Sequence, residues 1–235
     1  LEYRHFLHAH SHVAMLGWGF MLIAGALIFL FPHPAHKRRP YLIVYATNTV
    51  ATLGMAVSFV IQGYGAVSIT FSAIHLFTAY YFGYLYRGQL RGDRSISARF
   101  LRLAIFWYFL SSLGLLSLGP VGAIYGKHSA LYYEAIQWFM HFQLNGWFVY
   151  ATLGVLFRFM AGYGYPPRIH RLALPLLNIS LLFTFALSIT WSHPLDWLFY
   201  LNTIGVISQT IGFLLIVKPL IRGLNYVHPR RDGIY

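Results

Sequence analysis

The sequence predicts an all-α protein: one polytopic membrane domain built as a bundle of about seven transmembrane helices. Three observations predict it. Only 9% of the residues are charged and 58% are hydrophobic, whereas a soluble domain carries roughly a quarter charged residues. The charges cluster between apolar stretches of roughly 20 residues, the length that spans a bilayer core. The basic residues fall in every second link between those stretches. Inside lipid each stretch must be helical, because the hydrocarbon offers no partner for backbone polar groups.

Taken in order, the spans are 9–31, 41–62, 67–86, 99–118, 135–160, 172–192 and 196–217. The first begins in a histidine-rich segment and stops at Phe31-Pro32-His33-Pro34. Its length and the histidines at its start mark it as a retained span and not a cleavable leader. The second stops at Gln62-Gly63-Tyr64-Gly65, a turn signal, and the third at Arg87 and Arg91. The fourth follows Arg94 and Arg99 and gives way to the longest link, about 119–134, which contains Tyr125, His128, Tyr132 and Tyr133 and is expected to cap one end of the bundle. The fifth ends at Gly162-Tyr163-Gly164-Tyr165-Pro166-Pro167, and the sixth at Ser192-His193-Pro194. The seventh precedes Lys218, Arg222, Arg230 and Arg231.

The net charge of +12 is a statement about topology, not about nucleic acid. Fifteen of the seventeen basic residues follow spans one, three, five and seven; only Arg4 and Lys127 lie on the other side, with Glu2, Glu134 and Asp196. By the positive-inside rule the N-terminus is outside and the C-terminus cytoplasmic, with anionic lipid as a favourable neighbour. There are no cysteines, which excludes disulfides, thiolate-held iron–sulfur clusters and thioether-linked haem. A bound metal would rely on His, Met, Tyr, carboxylate or backbone.

A motif occurs twice. His12-Val13-Ala14-Met15-Leu16-Gly17-Trp18 returns as His141-Phe142-Gln143-Leu144-Asn145-Gly146-Trp147, and the alignment runs ungapped to Gly25 and Gly154, Leu27 and Leu156. Both copies open spans that run from outside to inside. The repeat divides the single domain 1–235 into a four-helix unit, 1–125, and a shortened copy, 126–235. Parallel repeats of this kind recur in membrane proteins. Seven spans with an incomplete second copy point to association with other membrane subunits or with a second copy of the chain.

Twelve histidines fall into two groups. His33, His36, His170 and His228 lie among cytoplasmic Lys and Arg and read as solvated polarity. His5, His8, His10, His12, His75, His128, His141 and His193 map to the outer half. Ionisable groups within a span are functional candidates, because burying them without a partner is costly. His12 and His141 lead as cofactor ligands, on shared motif and depth. The bland alternative is a hydrogen bond to a neighbouring helix. His8 and His12 are four apart on one helical face and able to clip a metal, while His10 points the opposite way, toward a second cofactor or an outer partner. His75, alone in span three, reads as a further ligand or a group beside a cofactor. The metal candidates are His8, His10, His12 and His141, and the cofactor candidates His12, His141, His10 and His75. Gly17 and Gly146 read as close-approach positions between helices, Trp18 and Trp147 as packing residues, and Gln143 and Asn145 as groups that orient the His141 imidazole or contact a cofactor.

His10-Ser11-His12-Val13-Ala14-Met15-Leu16-Gly17 resembles the His-x-His helix of the catalytic subunit of haem-copper oxidases and nitric oxide reductases. In that family ligand-bearing helices recur every fourth span, run outside to inside and carry their histidines in the outer part of the membrane, as spans one and five do here. The resemblance covers about a third of the chain. It implies haem b as cofactor, with His12 (or His10) and His141 as axial imidazoles, copper as a second possibility, and electron transfer near the outer face of a bacterial inner membrane within a respiratory complex, fed by a donor on that face. The chain departs from the family in its seven spans, against about twelve, in a span two without histidine, and in lacking the tyrosine-bearing helix of the oxygen reductases. Bis-imidazole ligation leaves no open position and favours electron transfer over turnover. Two other readings stand beside this one: a histidine-rich copper or zinc protein without haem, and a structural membrane subunit whose histidines cross-link helices.

Overall fold

A computed structural model describes residues 2–31 and 35–231. His33 lies outside the described residues, as do the side chains of His36, Lys37, His228, Arg230 and Arg231. Every regular element among the described residues is helical. Six helices are long and apolar enough to cross a membrane, and the chain is a polytopic membrane protein in contact with the lipid bilayer. They are α1 (Tyr3–Leu30), α2 (Ala35–Gln62), α3 (Ala66–Gln89), α4 (Ile96–Ile124), α5 (Ala130–Gly162) and α8 (Asp196–Arg231). The stretch expected as the sixth span is shorter and broken, into α6 (Ala173–Thr184) and α7 (Ala186–Ile189). At 1.5 Å rise per residue such a segment falls short of a full hydrocarbon thickness.

Several ends lie beyond the apolar runs. Helix α1 begins at Tyr3, so the whole His8–His12 segment is helical. Helix α4 continues through Pro120 to Ile124, and α5 starts at Ala130, where the Ser129 hydroxyl accepts the Tyr132 N–H at 3.3 Å. The long link expected over 119–134 is therefore five residues, and Tyr132 and Tyr133 belong to α5. The turn at Gln62-Gly63-Tyr64-Gly65 forms as expected. Gly63 takes a φ of +60° that a side chain would disfavour, and the Gly65 N–H donates to the Ser68 hydroxyl at 3.0 Å.

The helices form two compact units, Leu1–Asp93 and Arg94–Tyr235. In the first, α2 packs against α1 and α3, around a core that includes Phe20, Met55, Phe59, Phe82 and Tyr86. In the second, α4 lies along α5 and α6 along α8, with Phe100, Phe142, Tyr150 and Phe157 in the core. The repeat inferred from sequence has its boundary at 125/126, within the second unit.

Both long helices that carry the motif change winding at the same place. Val13–Gly19 of α1 and Phe142–Phe148 of α5 are π-helical, seven residues each. Each begins at the residue after the motif histidine, and the offset between them, 129 residues, is the offset between His12 and His141. At the end of the first the Phe20 N–H reaches back to Met15, and at the end of the second the Val149 N–H reaches back to Leu144, five residues in both cases. Such segments are rare in α-helices and frequent at functional sites.

Candidate functional site

In the first unit His8 and His12 share a face of α1, and His10 projects to the exposed side, as the spacing predicts. The His12 Nδ1–H donates to the His8 carbonyl at 2.9 Å. Its ring lies against Phe59, with centroids 4.2 Å apart, and meets the edge of Tyr64 at 5.7 Å. Tyr64 also touches the His8 ring at 4.7 Å. One nitrogen of His12 is thus held by a backbone carbonyl, and Nε2 makes no hydrogen bond among the described residues. That is how a ligating imidazole is normally oriented. No three His, Cys, Asp or Glu side chains gather as a metal ion would need, among the described residues.

His75 of α3 is 1% exposed. Its Nε2–H donates to the Leu16 carbonyl at 2.7 Å, and its ring abuts Phe20 edge-on at 5.1 Å. Leu16 lies inside the first π segment. The N–H that would ordinarily serve its carbonyl, on Phe20, is bonded to Met15 and Gly17 instead. His75 fills a vacancy in the helical ladder.

The second unit repeats that chemistry with other residues. His141 Nε2–H donates to the Leu181 carbonyl at 2.9 Å, across to α6. Four residues on, α6 breaks at Phe185, whose N–H turns to Phe183. His141 therefore serves a carbonyl that its own helix has released. Neither Gln143 nor Asn145 hydrogen-bonds the imidazole among the described residues. Gln143 Oε1 accepts from the Ser111 hydroxyl at 2.8 Å, and the Asn145 amide donates to the His141 carbonyl at 3.1 Å. Trp147 is 3% exposed and packs on Tyr108 of α4, whereas its counterpart Trp18 stacks on no ring among the described residues and is 70% exposed. At the end of α7 the Ser192 hydroxyl donates to Glu134 at 2.8 Å and lies 2.9 Å from His193 Nδ1, while His128 is exposed.

Beside His141, α5, α6 and α8 enclose a cavity of about 340 Å³. Its polar wall includes Asn145, Tyr150, Thr184, Asn202 and Gln209. None of the last four was singled out in the sequence. The signal was present for two of them: Asn202 and Gln209 are seven residues apart, two turns along one face of an otherwise apolar helix.

His12 and His141 belong to different units. Nε2 of His12 makes no hydrogen bond among the described residues, whereas Nε2 of His141 is engaged by the Leu181 carbonyl. Comparison with family models, curated proteins and solved structures finds no match.

Proposed function

We propose that the chain is a haem-binding integral membrane protein, related to the catalytic subunit of haem-copper oxidases, that transfers electrons near the outer face of a bacterial inner membrane as part of a respiratory complex. The finer topology belongs to the same proposal: seven spans, with the broken stretch Ala173–Ile189 as a short sixth crossing, the N-terminus outside and the C-terminus in the cytoplasm. His12, through Nε2, and His141 would hold the haem. A six-coordinate haem b would supply a one-electron carrier. What this chain contributes is orientation: the His8 carbonyl fixes the His12 tautomer, and Phe59 and Tyr64 hold the ring.

The observation that carries the reading is the pair of π segments, each starting directly after a motif histidine. The test is a reduced-minus-oxidised spectrum of the purified protein, with metal analysis on the same sample. The expected result is the sharp bands of a six-coordinate b-type haem, lost in His12→Ala and in His141→Ala. A bis-imidazole spectrum retained in both variants would sink the proposal. Copper or zinc without haem would select the bare-metal reading.

A second reading is favoured by two specific bonds, His75 to Leu16 and His141 to Leu181. On it the histidines pin neighbouring helices together and the protein carries no haem. His141→Ala would then lower the melting temperature of a protein that has no visible spectrum to lose.

A further inference from the structure

We infer that the cavity of the second unit binds an uncharged, lipid-soluble molecule through a carbonyl oxygen of its head group. The groups it uses are not proposed haem ligands, although His141 also lines the cavity, and binding of the probe is read independently of any haem spectrum.

The cavity wall contains no Asp, Glu, Lys or Arg. A charged ligand would lie uncompensated between apolar helices, which is costly at membrane depth. An uncharged ligand with polar atoms fits the mixture of hydroxyls, amides and aliphatic side chains. Half of the polar wall is already engaged, His141 by its bond to Leu181 among it. Ser180 donates to Leu177 and Thr184 to Ser180, each at 2.8 Å, and the Asn145 amide to the His141 carbonyl at 3.1 Å. The donors that remain are the Tyr150 hydroxyl, the Ser188 hydroxyl and the amides of Asn202 and Gln209.

Tyr150 points to the ligand most directly. It is 2% exposed, it forms part of the cavity wall, and its hydroxyl has no hydrogen-bond partner among the described residues. Buried hydroxyls are rarely left so. A carbonyl oxygen in the cavity would complete it. Asn202 and Gln209 face the same space from α8, one turn either side of Val206, and offer amide hydrogens to a second oxygen.

The way in is from the side. Leu187, Val206 and Asn145 lie at the cavity and are exposed, and Asn145 and Val206 belong to helices of membrane-spanning length. A volume of about 340 Å³ lies at the small end of ligand pockets. It takes a single ring or glyceride head, with the tail left in the lipid. Two sources carry that chemistry, the ring carbonyls of a prenylated quinone and the ester carbonyl of a neutral glyceride.

The experiment uses the full chain in nanodiscs of phosphatidylcholine, with a decyl-tailed 1,4-benzoquinone as probe and tryptophan fluorescence quenching as readout. Saturable binding is expected, about tenfold weaker in Tyr150→Phe, a loss of the size that one hydrogen bond supplies. Gln209→Leu, which alters the other side of the cavity, should weaken it similarly. Displacement of the probe by monoolein would assign the site to the glyceride ester, and failure of monoolein to compete would assign it to the quinone ring. Non-saturable partitioning, or affinity unchanged in both variants, would overturn the inference and leave the cavity to water. Tyr150→Phe removes a hydroxyl without a partner and keeps the ring, so it should melt no lower than the parent.

Discussion

Truncating His75 to alanine would strip the Leu16 carbonyl of its partner inside a π segment. A buried acceptor left unpaired costs about 1–3 kcal/mol, and the lost ring adds a cavity term. His75→Phe restores most of the volume without the N–H, so the difference between the two variants isolates the volume term, and what His75→Phe still lacks reports the hydrogen bond. The expected order of melting temperatures in detergent is parent, His75→Phe, His75→Ala. Equal melting of parent and His75→Phe would show that Leu16 needs no donor there. None of this was legible in the sequence, because the acceptor is a backbone carbonyl 59 residues away. His75 stood out as a lone ionisable residue in a span, with a ligand role or a place beside a cofactor as the expectation. Its Nε2–H is held by the main chain. His12 is the opposite case: its spacing from His8 was readable, and the structure places the two on one face as that spacing requires.

At the scale of elements, the glycine of each motif copy meets the helix packed against it. A Cβ added at Gly146 would lie 2.7 Å from Trp107 Cβ and 3.3 Å from Leu181 Cδ2, and one at Gly17 would strike Thr52. Gly146→Ala should therefore destabilise by about 1–3 kcal/mol, as overpacking does. Gly162→Ala, with nothing within 4 Å of the added carbon, should be neutral or raise stability by about 0.4–1 kcal/mol through the unfolded state. Thermal melts of both variants check the pair, and equal effects would refute the close-approach account. The close approach was readable from small residues at matching positions. The π winding was not, because apolar periodicity cannot distinguish a seven-residue change of pitch. Helix ends were misjudged where polar residues continue a helix, as over Tyr3–His12 and Ala130–Glu134, because only the apolar run marks a span in the sequence.

For the whole molecule, composition and charge spacing were enough to predict an all-helical membrane bundle, and six long apolar helices agree with it among the described residues. The sidedness rests on the fifteen-to-two split of basic residues. The absence of cysteine makes it simple to check. Lys127→Cys and Arg94→Cys place single thiols in links at exposed positions. In intact cells a membrane-impermeant maleimide should label the first and reach the second only after permeabilisation. The reverse pattern would invert the topology and, with it, the face at which the histidines lie.

A segment closed by bonds five residues long holds one residue more than the α-turns it replaces. Each motif copy thus behaves as a one-residue insertion that shifts the phase of its helix by about 100°. The histidine-bearing half of α1 keeps one registration with its neighbours, and the half beyond Gly19 keeps another. The same slip occurs in α5, at the equivalent point. The face that packs beyond Gly19 is thereby offset by about 100° from the one an uninterrupted α-helix would align with the histidine, so the bulge, and not apolar periodicity alone, sets which neighbour the histidine faces.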